Sequence, residues 1–474
     1  MSTNELLARL KALGVRLWTE EVELRVSAPK GALTPELRDE LRGRKAELLA
    51  LLGGEGPHEA ASASIPRAPR TGSEPLSFAQ KRLWFLQQLD PDLAAYNIPL
   101  NWNLRGPLEV AALEKSITEI VTRHEAMRTV FPERNGVPTQ VVLDPSPVRL
   151  TIVKNDSNLE HAAWRKEVLR LMTADAESAF DLATGPLYRP VLYRLREEEH
   201  VLCVCVHHSI FDGVSIGVFL SEMIASYEAF VGGGRPVLAP LPVQYIDYAA
   251  WQQGYFETAE FRRHVAYWRE TLGGKLPVLE LPTDHARPPI QTYNGDREEL
   301  PVPLELVDEL GALGKAEGAT LYMVMLAAYD VLLGRYTGQE DLLVGTAING
   351  REHTEVENLI GFFVNTLVIR TDLSGDPTFR ELVNRVRNAC LGAYEHHQIP
   401  FERLVDELQP ERNLSYSPIF QTLFLNELNP DPPKSMGDVV IRPHGKEEDL
   451  DFHIARNDVC FWVSADEDEL IAWA

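Results

Sequence analysis

The sequence predicts an α/β protein: a two-lobed body behind a small N-terminal α/β unit. Three observations lead there. From Leu76 onward, amphipathic helical stretches and β-branched apolar runs are mixed throughout. Residues 53–74 (GGEGPHEAASASIPRAPRTGSE) hold almost no large apolar side chain, so they separate the first 52 residues from the rest as a linker. A Pro-rich connector, Pro236–Pro242 (PVLAPLP), interrupts the long remainder. Lobes are therefore expected over residues 75–240 and 241–474, joined near residues 235–260.

The elements follow in order. Leu6, Leu7, Leu10 and Leu13 share a helical face, and Gly14 stops that helix. Val22, Leu24 and Val26 alternate as in a strand, with Thr19-Glu20-Glu21 as a turn, so Val15–Val26 reads as a hairpin. Thr34-Pro35-Glu36 opens a helix that ends at Gly53-Gly54. In the body, SFAQKRLWFLQQL, AALEKSITEIV (Ala111–Val121) and SIGVFLSEMIASYEAF read as helices, and HVLCVCVHH as a buried strand. A second α/β region follows. TLYMVMLAAYDVLLGRY and FRELVNRVRNACLGAYEHH are its helices, DLLVGTAI and FFVNTLVIRTDL its strands.

Composition narrows the function classes. The chain has 474 residues, is 45% hydrophobic and carries a net charge of −24. That charge disfavours nonspecific binding to nucleic acid through a globally basic face. No run of about 18 apolar residues suggests a membrane span, and the acid-containing start is unlike a secretory signal. Cys203, Cys205, Cys390 and Cys460 show no zinc-ligand spacing, so no metal is expected. Buried, reduced thiols in the cytoplasm fit best.

The stretch VCVHHSIFDGVS (Val204–Ser215) carries the chemistry. Successive strand residues face opposite sides, so one of His207 and His208 can face a core and the other a cleft. An imidazole can take a proton from an amine or alcohol near neutral pH. Asp212 could orient an imidazole or pair with an arginine, and Gly213 would permit a sharp bend. A satisfied core histidine is the competing reading. Adjacent histidines without a third ligand make a poor metal site, and a G-x-S-x-G elbow is missing.

HHSIFDG resembles the HHxxxDG motif of condensation domains from nonribosomal peptide synthetases. Six further stretches resemble that family's other motifs, in order: LSFAQKRLWFLQQL, RHEAMRTVF, YIDYAAWQ, IGFFVNTLVIR, HHQIPFERLVDEL and RNLSYSPIFQ, all within residues 76–421. The resemblance implies a chloramphenicol acetyltransferase-like fold, two lobes in a V with the active site in a tunnel between them. It implies that an acceptor amine attacks a donor thioester, each tethered to the phosphopantetheine arm of a carrier protein, with no cofactor bound directly.

By the same resemblance His208 is the catalytic candidate, as base or as positioner of the amine, and His207 is structural. Asp212 is a structural salt-bridge residue, with Arg123 as first-choice partner and Arg128 second, and Gly213 is the hinge of the turn. Trp251 and Asn365, with Ser209 and Ser215, are tunnel candidates; for Trp251 and Asn365, packing and strand-end capping compete with a direct role. Histidines in place of DxxxxD favour amide formation over heterocycle formation. The first two motifs look condensing rather than epimerising, and YNIP (Tyr96–Pro99) and GVSIGVF resemble the subtype taking a D-configured donor or polyketide-hybrid acceptors.

Residues 1–52 resemble the αββαα docking domains of synthetase subunits. There, an upstream subunit's C-terminal tail would add as a strand beside the hairpin. Arg16, Arg25, Lys30, Arg38, Arg42, Arg44 and Lys45 offer basic partners to an acidic tail. The implied partners are an upstream donor carrier and a downstream acceptor carrier and adenylation domain. The C-terminal end, DEDELIAWA, reads as the end of a fragment of a larger subunit. Two other readings stand beside amide formation: a silent module that mainly docks partners, and an acyltransferase for free small molecules. The intact histidine motif argues against the first, and the docking unit against the second.

Overall fold

The computed structural model describes residues 16–20, 23–27, 64–411, 413–427, 434–443, 454–465 and 470–473. The chain divides into two compact units, residues 1–64 and 65–474.

In the first unit, Arg16–Glu20 and Glu23–Ser27 pair antiparallel, with Arg16 opposite Ser27 and Trp18 opposite Arg25. This is the expected hairpin, with one shift: Thr19 and Glu20 belong to the first strand rather than to the turn. The flanking helices, and with them Lys30, Arg38, Arg42, Arg44 and Lys45, lie outside the described residues.

The body holds two six-stranded sheets. In the first, Asn97–Arg105, Glu199–His207 and Tyr188–Arg196 form an antiparallel centre. Strand Glu199–His207 is buried along nearly its whole length. Its Leu202, Val204 and Val206 face a core shared with Leu113, Ile117 and Ile120 of helix Val110–Arg123 and Phe219 and Met223 of helix Gly213–Val231. Its Val201 and Cys203 pack instead against Trp164, Val168 and Met172 of helix His161–Ala176. Two covered faces explain why this strand reads as a continuous apolar run rather than an alternating one.

Helix Gly213–Val231 is also long and apolar enough to cross a membrane, a run the sequence reading did not single out. Its Phe219, Leu220, Met223 and Tyr227 are buried in this core, which accounts for the composition.

The second sheet places Asp341–Ile348 between Asn365–Asp372, antiparallel to it, and Thr422–Glu427, parallel to it. Val459–Ala465 continues the parallel run. Helices Leu321–Thr337 and Phe379–Glu395 pack on each other, each started by a threonine N-cap, Thr320 and Thr378.

Two expectations about boundaries change. Residues 434–443, assigned to the second lobe, pair along Asn97–Arg105 and extend the first sheet. The chain therefore returns to the first lobe near its end. The linker also ends before residue 74. Ile65 is buried beside Val243 and Tyr245, and Arg70 pairs at 2.7 Å with the fully buried Asp247. A few well-partnered residues anchor a stretch whose composition reads as disordered.

Candidate active site

The apolar strand delivers the two histidines where its sheet ends. His207 is its last residue and stays in the interior. The backbone N–H of Ser209 donates to His207 Nδ1 at 3.2 Å, and the Ser209 hydroxyl lies 2.7 Å from the same atom. A backbone N–H can only donate, so Nδ1 accepts and the ring proton sits on Nε2. Burial pushes this ring down to about 3, so it is neutral.

A single turn of 3-10 helix, His208–Ile210, then reverses the chain. The backbone N–H of His208 donates to the Tyr96 carbonyl at 2.8 Å, and Gln80 Nε2 donates to the Ser209 carbonyl at 3.1 Å. Gln80 itself closes a capping box with Ser77 at the start of helix Phe78–Leu89. The first motif thus splints the histidine turn.

His208 Nδ1 lies 2.8 Å from the Phe211 carbonyl. A carbonyl only accepts, so Nδ1 carries the proton and Nε2 keeps its lone pair. The adjacent histidines hold opposite tautomers for this reason. Burial, helped by the charge of Arg456, pushes His208 down to about 4. Its ring packs on Phe362, centroids 4.5 Å apart.

Phe362 also walls a cavity of about 50 Å³, together with Ser77, Tyr248, Gln252, Asn365 and His397. His397 places Nδ1 2.5 Å from the Tyr394 carbonyl and Nε2 2.5 Å from Glu352. Both partners accept, so this ring carries two protons, and the Glu352 hydrogen bond holds its pKa above the usual value.

Asp212 does not pair with Arg123. Its carboxylate accepts from Arg351 Nη1 at 2.7 Å and Nη2 at 2.8 Å, a bidentate pair with both side chains 1% exposed. It also accepts from the Ser215 N–H and hydroxyl and from the Phe363 N–H. Arg351 follows the second-lobe strand Asp341–Ile348, so the pair ties the two lobes together.

Arg123 bonds Glu222 at 2.9 Å and the Ala239 carbonyl. Glu222 lies about 15 Å along the helix from Asp212 at 1.5 Å per residue, so one guanidinium cannot serve both. The same Glu222 takes His124 Nε2 at 3.0 Å, while His124 Nδ1 accepts from the Ile360 N–H. Arg128, the second choice, donates to the Leu143 carbonyl.

Other candidates also move. Gly213 is the first residue of its helix and its φ is not positive. The bend is made by the 3-10 turn and by extended Phe211 and Asp212. Ser209 and Ser215 are buried and spent on His207 and Asp212, so neither lines an open wall. Trp251 stacks on Tyr255 at 5.6 Å and meets His353 edge-on at 4.8 Å, a packing role. Asn365 lines the cavity, but its amide donates to the His397 and Ile399 carbonyls and its oxygen accepts from Phe401 N–H, as a strand-end cap does.

Arg351, Gln80 and Phe362 were not singled out from the sequence. Gln80 and Phe362 lay inside recognised motifs. Arg351 lay outside them and carried no local signal. The four cysteines are free, and burial raises the thiol pKa of each, which makes them poor nucleophiles.

Two α/β lobes locked by a buried ion pair, with a tautomer-fixed histidine at a strand end, define an acyltransferase-type body. Residues 71–450 match the condensation domain family, and residues 4–53 match the TubC N-terminal docking domain. The chain belongs to the condensation domain family, the amide-forming domains of nonribosomal peptide synthetases, and carries a docking domain at its start. A linear gramicidin synthase polypeptide of Brevibacillus parabrevis is 49% identical over 80% of this chain, which spans 7% of that relative's length. The X-domain from teicoplanin biosynthesis superposes with a TM-score of 0.76 at 29% identity, covering 87% of this chain and 91% of its own. The first condensation domain of the CDA synthetase gives 0.68 at 22% identity, covering 85% and 92%, a likeness of fold.

Proposed function

We propose that this chain forms an amide between a carrier-bound acyl or peptidyl donor and a carrier-bound aminoacyl acceptor, with His208 as the catalytic residue. The acceptor nitrogen attacks the donor thioester carbon, the C–S bond breaks, and the donor arm leaves as a thiol. The proton given up by the amine ends on the departing sulfur, and the product stays on the acceptor carrier.

The observation that carries this is the His208 tautomer. With Nδ1–H given to the Phe211 carbonyl, Nε2 is a fixed acceptor for the amine N–H. A ring depressed to about 4 is neutral at pH 7 but a weak base. Orientation of two tethered reactants then supplies most of the rate, and His208 positions the amine. His207, Gln80 and the Asp212–Arg351 pair hold that imidazole in place.

Donor delivery by an upstream subunit docking on the first unit, acceptor delivery by a downstream carrier and adenylation domain, and a cytoplasmic setting belong to the same reading. Thioesters on phosphopantetheine are its substrates, so no bound cofactor or metal is required. A second reading, a platform that recruits a partner protein, draws on the X-domain of teicoplanin biosynthesis, which is solved in complex with OxyB. The intact HHSIFDG weighs against it.

The test is intact-mass detection of product on the acceptor carrier, using loaded donor and acceptor carriers. Wild type should form the amide, and a folded His208→Ala should lose at least about 100-fold in rate. A folded His208→Ala with full activity would sink the assignment.

A further inference from the structure

Arg456 sits on a second-lobe segment pinned on both sides. The Ala455 N–H donates to the Tyr293 carbonyl at 2.8 Å, and Gln291 Nε2 donates to the Arg456 carbonyl at 2.9 Å. Asp458 pairs with Arg287, and its N–H donates to the Gln421 carbonyl. From this anchored backbone the side chain reaches into the first lobe. Its Nε donates to the Ala95 carbonyl at 2.7 Å, and its guanidinium lies over the Tyr96 ring, 5.0 Å from the centroid. Tyr96 is the residue whose carbonyl holds the His208 N–H.

We propose that Arg456 is a positioning residue for His208: it clamps Ala95–Tyr96, the backbone behind the histidine turn, and places a positive charge beside the imidazole. This rests on His208 being the catalytic group. Among the described residues no carboxylate pairs with Arg456, whereas Asp212 is already engaged by Arg351. Opposing that charge are the Phe211 carbonyl on Nδ1 and the Asp212 carboxylate, both of which favour the protonated ring, while the neighbouring His207 is neutral and the Phe362 ring carries no charge. A cation disfavours a second one nearby, so Arg456 works with burial to keep the imidazole unprotonated and Nε2 free.

The test is a titration of His208 by NMR in the full chain labelled at histidine, with His208→Ala identifying its signal. Wild-type His208 should stay unprotonated down to about pH 5. Arg456→Gln should titrate about one unit higher and lose about ten-fold or more in kcat at little change in KM. Arg456→Lys keeps the charge but not the planar fork. It should titrate as wild type and still lose kcat. Identical His208 titrations in wild type and Arg456→Gln would overturn the electrostatic role. A Lys variant with wild-type kcat would overturn the clamp, and it also serves if Arg456→Gln does not fold. Because the titration needs no turnover, it stays informative if the amide-forming role of His208 fails its own test.

Discussion

Breaking the Asp212–Arg351 pair is the sharpest perturbation available. In Asp212→Ala the Arg351 guanidinium, 1% exposed, would lose both short contacts to the carboxylate. The Ser215 and Phe363 N–H groups would also lose their acceptor. What remains to Arg351 is the Leu359 carbonyl, the Ser215 hydroxyl and the Phe363 ring at 4.4 Å. An uncompensated buried charge costs about 3–5 kcal/mol. Against a total stability of about 5–15 kcal/mol, that leaves the fold near its margin. Arg351→Ala strands the carboxylate instead, but Ser215 and the Phe363 N–H still serve it, so the loss should sit at the lower end.

Arg123→Ala is the control. Its guanidinium is 15% exposed and Glu222 keeps His124, so about 1 kcal/mol is expected. Urea denaturation at 25 °C reads all three. Activity should fall with Asp212→Ala and Arg351→Ala because the clamp joins both lobes at the histidine turn. The reasoning fails if Arg351→Ala unfolds within 1 kcal/mol of wild type, or if Arg123→Ala costs more than Arg351→Ala.

Further outcomes can be measured. His207 and His208 are depressed to about 3 and about 4 in the fold, below the ordinary value near 6.5. The unfolded chain therefore takes protons first on acidification. The stability from keeping these rings neutral is present above pH 6.5 and is lost below it, at up to about 1.4 kcal/mol per pH unit for each ring; urea midpoints at pH 7, 6 and 5 read this, and His207→Asn should flatten the slope. Asp330, fully buried in helix Leu321–Thr337, has the opposite sign, since burial raises it to about 7. Asp330→Asn should gain on wild type at pH 8, with the gain shrinking toward pH 5; a pH-independent difference would contradict it. Deleting residues 1–53 should leave amide formation intact with donor carrier at high concentration and slow it at low micromolar concentration, because docking raises the effective donor concentration; equal rates at both would remove the docking role.

The sequence by itself determined what depends on near neighbours. The Ser77–Gln80 capping box, the threonine caps, the hairpin at Arg16–Ser27 and the apolar strand before His207 each follow from residues a few positions apart. So did the motif order, and with it the fold. Only the tertiary structure decided who partners whom. Asp212 finds Arg351 across 139 residues, and the nearer-motif Arg123 is claimed by Glu222 because two helices pack side by side. Likewise, strand 434–443 joins the first sheet, residues 65–74 belong to the body, and Arg456 meets Tyr96. Periodicity and capping carry the energetics of neighbouring residues, whereas the choice of a distant ionic or strand partner depends on which surfaces the packed core brings within about 3 Å.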